Sequence, residues 1–420
     1  MADFSFIHAA DLHIDSPLLG LDRYEGAPTD EIRGASRVAF KNLVDLALAE
    51  RVAFVVLAGD VFDGEWRDYN TGVFLNRELG RLAQAGMRVF LVQGNHDAES
   101  VMTRSLRLPP NAHVFSHAAP ETVELAEHGV ALHGQSFGEQ RVTTNLAAAY
   151  PEALPGRFNL GVLHTAIEGR QGHARYAPCN LADLTNKRYD YWALGHVHRR
   201  EVVAESPWVV FPGNIQGRHI RETGPKGCSL VTVAGGAVAS VRHVPLDVVR
   251  WASVTEDVSA LDRPEDVVDR LAEVVEREAS RADGRLLAVR LRAVGVTSSG
   301  AMLAEPHRWR AELISRVTTL VGHKAWVEKV LFDAAPPREN AGADARENLA
   351  VLERILADLA ASPVASVPDF VGKLSAKLGA DAPQGDDSPF SPEAMARAKA
   401  EAIELLRFRL RLRRARGAGA

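Results

Sequence analysis

The sequence predicts an α/β protein with mixed sheets, and three observations carry the prediction. Short apolar runs alternate with helix-periodic segments through the N-terminal region. The run Ala53-Phe54-Val55-Val56-Leu57-Ala58 is apolar throughout, as a strand covered on both faces requires. Later apolar runs have less helix between them, so parallel and antiparallel pairing should both occur.

In chain order, Phe4–Ala9 reads as a strand running into Asp11-Leu12-His13, and Arg33–Glu50 has helical spacing through Val38, Leu43, Leu46 and Ala47. The strand Ala53–Ala58 ends at Gly59-Asp60. A helix from about Thr71 to Ala85 stops at Gly86, and the strand Met87–Val92 completes a βαβαβ rhythm that predicts parallel pairing. Further strands are expected at Thr122–Leu125, Val130–His133, Leu160–Leu163, Tyr191–Leu194 and Trp208–Phe211. From about Leu246 a smaller α/β module follows, with strands at Val248–Val254, Leu286–Leu291 and Lys324–Val330 and helices at Arg263–Ala282 and Pro306–Val321. Ala334–Asp344 and Gly379–Pro389 read as linkers around helices at Ala345–Ala360 and Pro368–Leu378. A last helix opens with Ser391 as cap and Pro392 at its first position. It carries the apolar stripe Met395, Ala402, Ile403, Leu406 and Leu410, and ends among Arg407, Arg409, Arg411, Arg413, Arg414 and Arg416. The expected organisation is a first domain over 1–245, a small α/β domain over 246–335 and a helical region with a basic end over 336–420.

Composition narrows the function classes. A chain of 420 residues with 46% hydrophobic and 25% charged residues can bury a full core without disulfides. Cys179 and Cys228 are its only cysteines, which excludes a disulfide scaffold and a thiolate zinc site. With no signal-like N-terminus and no membrane-length apolar run, the expected location is the cytoplasm, with no membrane partner. The net charge of −5 rules out a general polycation, so any nucleic-acid contact must come from local patches. Against this ordinary background stand 15 histidines, several beside Asp, Asn and Gly.

Five segments place metal-ligand residues just after an apolar strand: Asp11-x-His13, Gly59-Asp60-x-x-Asp63, Gly94-Asn95-His96-Asp97, Leu163-His164 and Gly195-His196-x-His198. Alone, the Asp-x-His, the Gly-Asp after a strand and the single histidine are commonplace, whereas Gly-Asn-His-Asp and Gly-His-x-His are rarer. Together they deliver carboxylate, carboxamide and imidazole groups to one rim, where α/β sheets gather ligands. The glycines are expected to allow sharp turns there. Oxygen and nitrogen donors without a thiolate suit Mn, Fe, Zn or Co better than Ca or Cu(I).

That order of motifs resembles the calcineurin-like metallophosphoesterase superfamily over residues 1–245. The segment Phe211-Pro212-Gly213-Asn214-Ile215-Gln216-Gly217-Arg218-His219 with Lys226-Gly227 is similar to its DNA-repair nuclease branch, which includes the SbcD- and YhaO-like groups. The resemblance implies a four-layer sandwich of two mixed sheets flanked by helices, followed by a small α/β cap and a helical tail. It implies two divalent metals, manganese first, with iron, zinc, cobalt or magnesium as alternatives. Asp60 would bridge them, Asp11, His13 and His198 would complete one site, and Asn95, His164 and His196 the other. His96 would stabilise the transition state or protonate the leaving oxygen, with Asp97 orienting its ring. Asp63 stands where some relatives carry a second histidine. Arg218, His219, Arg221 and Lys226 are candidate phosphate contacts. The implied activity is exo- or endonucleolytic hydrolysis of DNA, and the implied partners are DNA, an SMC-like coiled-coil ATPase and a second copy of the chain. Two rival readings are a phosphoesterase for a small nucleotide or phosphoprotein, and a non-catalytic DNA- or ATPase-binding subunit.

Overall fold

Alternation decides how the first strands are used. In β1 (Phe4–Ala9), Phe4 and Phe6 face one core while Ile7 and Ala9 face another, and β2 (Phe54–Ala58) divides Phe54, Val56 and Ala58 from Val55 and Leu57 in the same way. Both faces are apolar, so both must be covered. On one side lie α1 (Thr29–Glu50) and α2 (Tyr69–Gln84), which bury Phe40, Leu43, Val44, Phe74, Leu75 and Leu79 against the sheet. On the other side lies a second sheet.

The structure is a computed structural model. It describes residues 3–334 except positions 19, 22, 23, 25, 65–67, 101–105, 168–175, 300, 301, 303 and 304, together with 353–362, 391, 394–403 and 406. The remaining strands of the first region are β3 (Arg88–Val92), β4 (Ala112–Val114), β5 (Glu121–Leu125), β6 (Val130–Gly134), β7 (Phe158–His164), β8 (Tyr191–Gly195), β9 (Glu201–Glu205), β10 (Trp208–Phe211), β11 (Gly227–Ala234) and β12 (Ala237–Pro245). The first sheet has the order β12-β11-β1-β2-β3-β4 and the second β5-β6-β7-β8-β10-β9. β1 to β4 pair in parallel, as the βαβαβ rhythm requires, while β11 joins β1 antiparallel. In the second sheet β6, β7, β8 and β10 are parallel, with antiparallel edge strands β5 and β9. Phe6, Phe54, Phe90, Phe158 and Tyr191 fill the space between the sheets. Leu163, Trp192 and Leu194 on the far face of the second sheet pack with Ala147, Tyr150 and Leu184 of short helical turns. This is the four-layer arrangement of two mixed sheets flanked by helices.

β4, β9, β11 and β12 are absent from the sequence reading. β12 shows why: it is an edge strand with exposed or half-buried positions along its length, so it carries no alternation to read. α1 likewise starts at Thr29, ahead of the first apolar-periodic residue, because its first turn is acidic and polar.

Two compact units divide the chain: Met1–Leu18 with Pro28–Trp251, and Leu19–Ala27 with Ala252–Ala420. The second contains a three-stranded sheet in the order β13 (Val249–Asp257), β14 (Leu286–Val294), β15 (Ala325–Phe332). On it pack α5 (Pro264–Arg281) and α6 (Pro306–Val321), here counting α3 as Asn95–Glu99 and α4 as Leu181–Thr185, through Val267, Leu271, Val275, Trp309 and Leu313. The early excursion 19–27 belongs to this unit, with the Tyr24 ring edge-on to Trp326 at 5.9 Å. Residues 353–361 and 394–403 are helical, and Lys399 Nζ donates to the carbonyl of Ala360 at 3.0 Å. The expected helix Pro368–Leu378, both linkers beyond Ala334 and the arginines from 407 to 416 lie outside the described residues. Among the described residues no helix is long and apolar enough to cross a membrane.

Candidate metal centre

Each predicted motif sits at the C-terminal end of a strand. Asp11 and His13 follow β1, Asp60 and Asp63 follow β2, Asn95–Asp97 form the start of α3 after β3, His164 ends β7, and His196 and His198 follow β8. Backbone bonds tie these ends together: Asp11 N–H donates to Gly59 O at 3.0 Å and His13 N–H to Asp60 O at 3.1 Å. Across the two sheets, His196 N–H donates to the Asp11 carboxylate at 3.1 Å. Asp11, His13, Asp60 and His196 have φ of 52°, 43°, 51° and 100°. Left-handed backbone at non-glycine residues costs of order 1–3 kcal/mol each and persists where surrounding bonds over-determine it.

The glycines do something other than was expected of two of them. Gly59 takes φ +93°, but Gly94 has an ordinary φ of −90°. At Gly94 a Cβ would stand 2.3 Å from Asp60 Oδ1, and at Gly195 it would stand 1.8 Å from the carbonyl oxygen of Ala58. Their role is close approach: Gly94 lets the end of β3 close on that of β2 within the first sheet, and Gly195 lets the end of β8 in the second sheet meet β2 of the first.

Three groups of side chains offer ligand atoms within 4.8 Å of one another: Asp11 with His13 and His198, Asp11 with Asp60 and His164, and His13 with Asp60 and His96. Asn95 Oδ1 lies 3.1 Å from His164 Nε2, whose distance to Asp60 Oδ2 is 3.4 Å. His196 is buried, its ring centroid 5.2 Å from that of His164 and 5.5 Å from Tyr176. The tautomers suit a cation. His164 Nδ1–H donates to Ala58 O at 2.9 Å and His198 Nδ1–H to Glu222 Oε1 at 2.7 Å, which turns Nε2 of each toward the rim. His13 Nε2 and His198 Nε2 face each other at 3.1 Å, within reach of one shared cation. Burial lowers the His13 imidazole to about 3, with Arg218 adding to the effect, so it stands neutral as a ligand must. Burial alone would raise Asp60 and lower His164, but their attraction overrides it. Asp60 is held well below the usual carboxylate range and His164 is raised to about 9. Two buried carboxylates among imidazoles, with oxygen and nitrogen donors only, fit two divalent cations.

Asp97 is elsewhere than expected. Its carboxylate accepts from the backbone N–H groups of Val61 (3.2 Å), Phe62 (3.0 Å) and Gly94 (3.1 Å), locking the β2 and β3 loops together. Burial, with Asp60 nearby, raises it to about 6. Asp63 is the carboxylate at His96, with Oδ1 3.3 Å from His96 Nδ1 and 3.2 Å from His13 Nδ1. The rim's imidazoles differ in access: the His96 side chain is 36% exposed, against 24% for His198 and 0% for His164.

The phosphate contacts also change. Lys226 is buried, and its Nζ donates to His198 O at 2.8 Å, so it braces the ligand loop and does not reach for a substrate. Arg218 is turned inward onto Glu222 and Asp63. His219 and Arg221 stay nearer solvent. Glu222, absent from the sequence-predicted site, is the carboxylate behind His198.

Residues 4–200 match the model of the calcineurin-like phosphoesterases, and residues 251–335 match the middle domain of the metallophosphoesterase YhaO. The chain is 37% identical over 263 residues to an uncharacterized metallophosphoesterase YhaO of Bacillus subtilis, covering 62% of this chain and 64% of that protein. It is 24% identical to a DNA double-strand break repair protein Mre11 of Sulfurisphaera tokodaii, covering 62% of this chain and 67% of that one. A dimetal phosphatase from Danio rerio is similar at 14% identity and TM-score 0.36, over 58% of this chain and 97% of that one.

Proposed function

We propose that this chain, which carries a calcineurin-like phosphoesterase domain and a YhaO-type middle domain, is a metal-dependent DNA phosphodiesterase of a repair type. The observation that carries the reading is the rim itself, where Asp11, His13, Asp60, His164 and His198 bring their ligand atoms together across two sheets. Two divalent cations held there, manganese first, would supply Lewis-acid polarisation of a phosphodiester and an activated water. Asp60, Asp11, His13 and His198 would hold one, and Asp60, Asn95, His164 and His196 the other. His96 then acts as the proton donor to the leaving oxygen. It is the most exposed imidazole of the rim, and Asp63 at its Nδ1 sets its orientation. DNA as substrate is supported by the middle domain that follows the catalytic unit and by the archaeal relatives named for double-strand break repair.

The test is hydrolysis of single-stranded, duplex and hairpin DNA beside a small chromogenic phosphodiester, with the metal varied. DNA cleavage that depends on manganese is the expected result. Turnover of the small ester alone would replace the DNA reading with that of a small-nucleotide phosphoesterase. Two bound metals with neither activity would leave a binding subunit.

We also propose that the C-terminal region docks an SMC-like coiled-coil ATPase or DNA. Every candidate ligand precedes residue 200, whereas the apolar stripe and the arginine-rich run expected of the last helix follow residue 390. Truncation after Ser388 should preserve small-ester hydrolysis while weakening ATPase co-purification or DNA binding. If the arginines touch phosphates, the salt slope of DNA binding falls by roughly one unit per lost contact. A folded truncation that loses small-ester hydrolysis would end the separation of roles.

A further inference from the structure

Behind the rim lie three charged residues that no ligand role uses. Glu222 accepts from His198 Nδ1 at 2.7 Å and Arg218 Nη2 at 3.2 Å through Oε1, and from Asn214 Nδ2 at 2.9 Å and the Arg218 backbone N–H at 2.7 Å through Oε2. Its acceptor capacity is filled. The other side of the Arg218 guanidinium, Nη1, lies 3.4 Å from Asp63 Oδ2. Asp63 also accepts from Ser16 Oγ at 2.5 Å and places Oδ1 3.2 Å from His13 Nδ1. His13 Nδ1 is a buried nitrogen without a hydrogen bond, and Asp63 Oδ1 is the carboxylate oxygen in reach of it.

We propose that Asp63, Arg218 and Glu222 form one carboxylate–arginine–carboxylate brace that positions both histidine ligands of a single metal site, His198 through Glu222 and His13 through Asp63. The planar guanidinium is what allows this. It offers two separate donor edges in fixed planar geometry, whereas an ammonium is a compact point charge whose donors are not held in a plane. Its charge also offsets one of the two carboxylates that would otherwise repel across the site. The three are positioning residues, because they act through the imidazoles. The proposal makes Arg218 part of the metal centre instead of a phosphate contact, and it rests on the metal-centre reading of the rim.

The experiment is manganese binding to the metal-free full-length chain, read by calorimetry and by loss of the free-ion EPR signal. The wild type should bind two ions. Glu222→Gln and Arg218→Met should each weaken one of the two sites by about 10–100-fold, the usual cost of losing an outer partner of a metal-bound histidine, and leave the other unchanged. Arg218→Lys should not rescue the weakened site, and it covers the case in which Arg218→Met does not fold. Arg290→Met breaks an ion pair with Glu328 in the other unit and serves as control, lowering thermal stability without touching either site. Two wild-type sites in folded Glu222→Gln or Arg218 variants would overturn the brace, as would equal weakening in Arg290→Met. Two ions bound without DNA cleavage would overturn the DNA reading and leave the brace standing. No manganese bound by the wild type would overturn both.

Discussion

Asp60→Ala should strip the chain of bound metal and of hydrolysis together, with activity falling to that of the protein treated with chelator. Asp60 is 2% exposed and shares ligand-distance groups with Asp11 and His164 on one side and with His13 and His96 on the other. No neighbouring carboxylate occupies that position, and Asp11, although close, has its oxygens turned to His196 N–H. Removal also leaves His164 without the anion that holds its imidazole at about 9. That pair's contribution is full below the ordinary histidine value and is lost as pH rises through about 9, so the metal-free variant should melt lower at neutral pH. His198→Ala should share the loss of activity but empty one site. Metal analysis decides the bridging role: two ions per chain in Asp60→Ala would rule it out.

His96→Ala should behave in the opposite way, retaining both metals while losing about 10²–10⁴ in rate, the range for a general acid or one charge-stabilising donor. Its imidazole is more than a third exposed and leans on Asp63, so little packing is lost with it. The loss should fall on kcat more than on KM, since the group acts on charge that develops at the leaving oxygen. A poor leaving group should feel it more than nitrophenolate does. Equal turnover of wild type and variant on DNA would remove His96 from the chemistry.

Much of the site is legible in the chain. Asp11, His13, Asp60, Asn95, His164, His196 and His198 all lie where an apolar strand stops, and a parallel strand aims its C-terminal end at the same rim as its neighbours. The cores of β1, β2, β3, β7 and β8 are runs of large apolar residues, which declare burial without help from context. Edge strands such as β12 declare nothing, because solvent on one face relaxes the choice of residue.

What the sequence by itself determined is therefore the central strands and helices that carry the site, the parallel pairing of β1 to β3, and the residue types that meet at their ends. These follow from local periodicity and from the chemistry of the side chains, which neighbours along the chain do not alter. The tertiary structure alone decided which carboxylate serves which imidazole. Asp97 is adjacent to His96 in sequence yet faces three backbone amides, while Asp63 and Glu222, from other loops, reach His96, His13 and His198. A helix start turns consecutive side chains about 100° apart, so adjacency in the chain separates them. Close approach at Gly94 within the first sheet and at Gly195 between the two sheets packs the strand ends tightly enough for residues distant in sequence to meet.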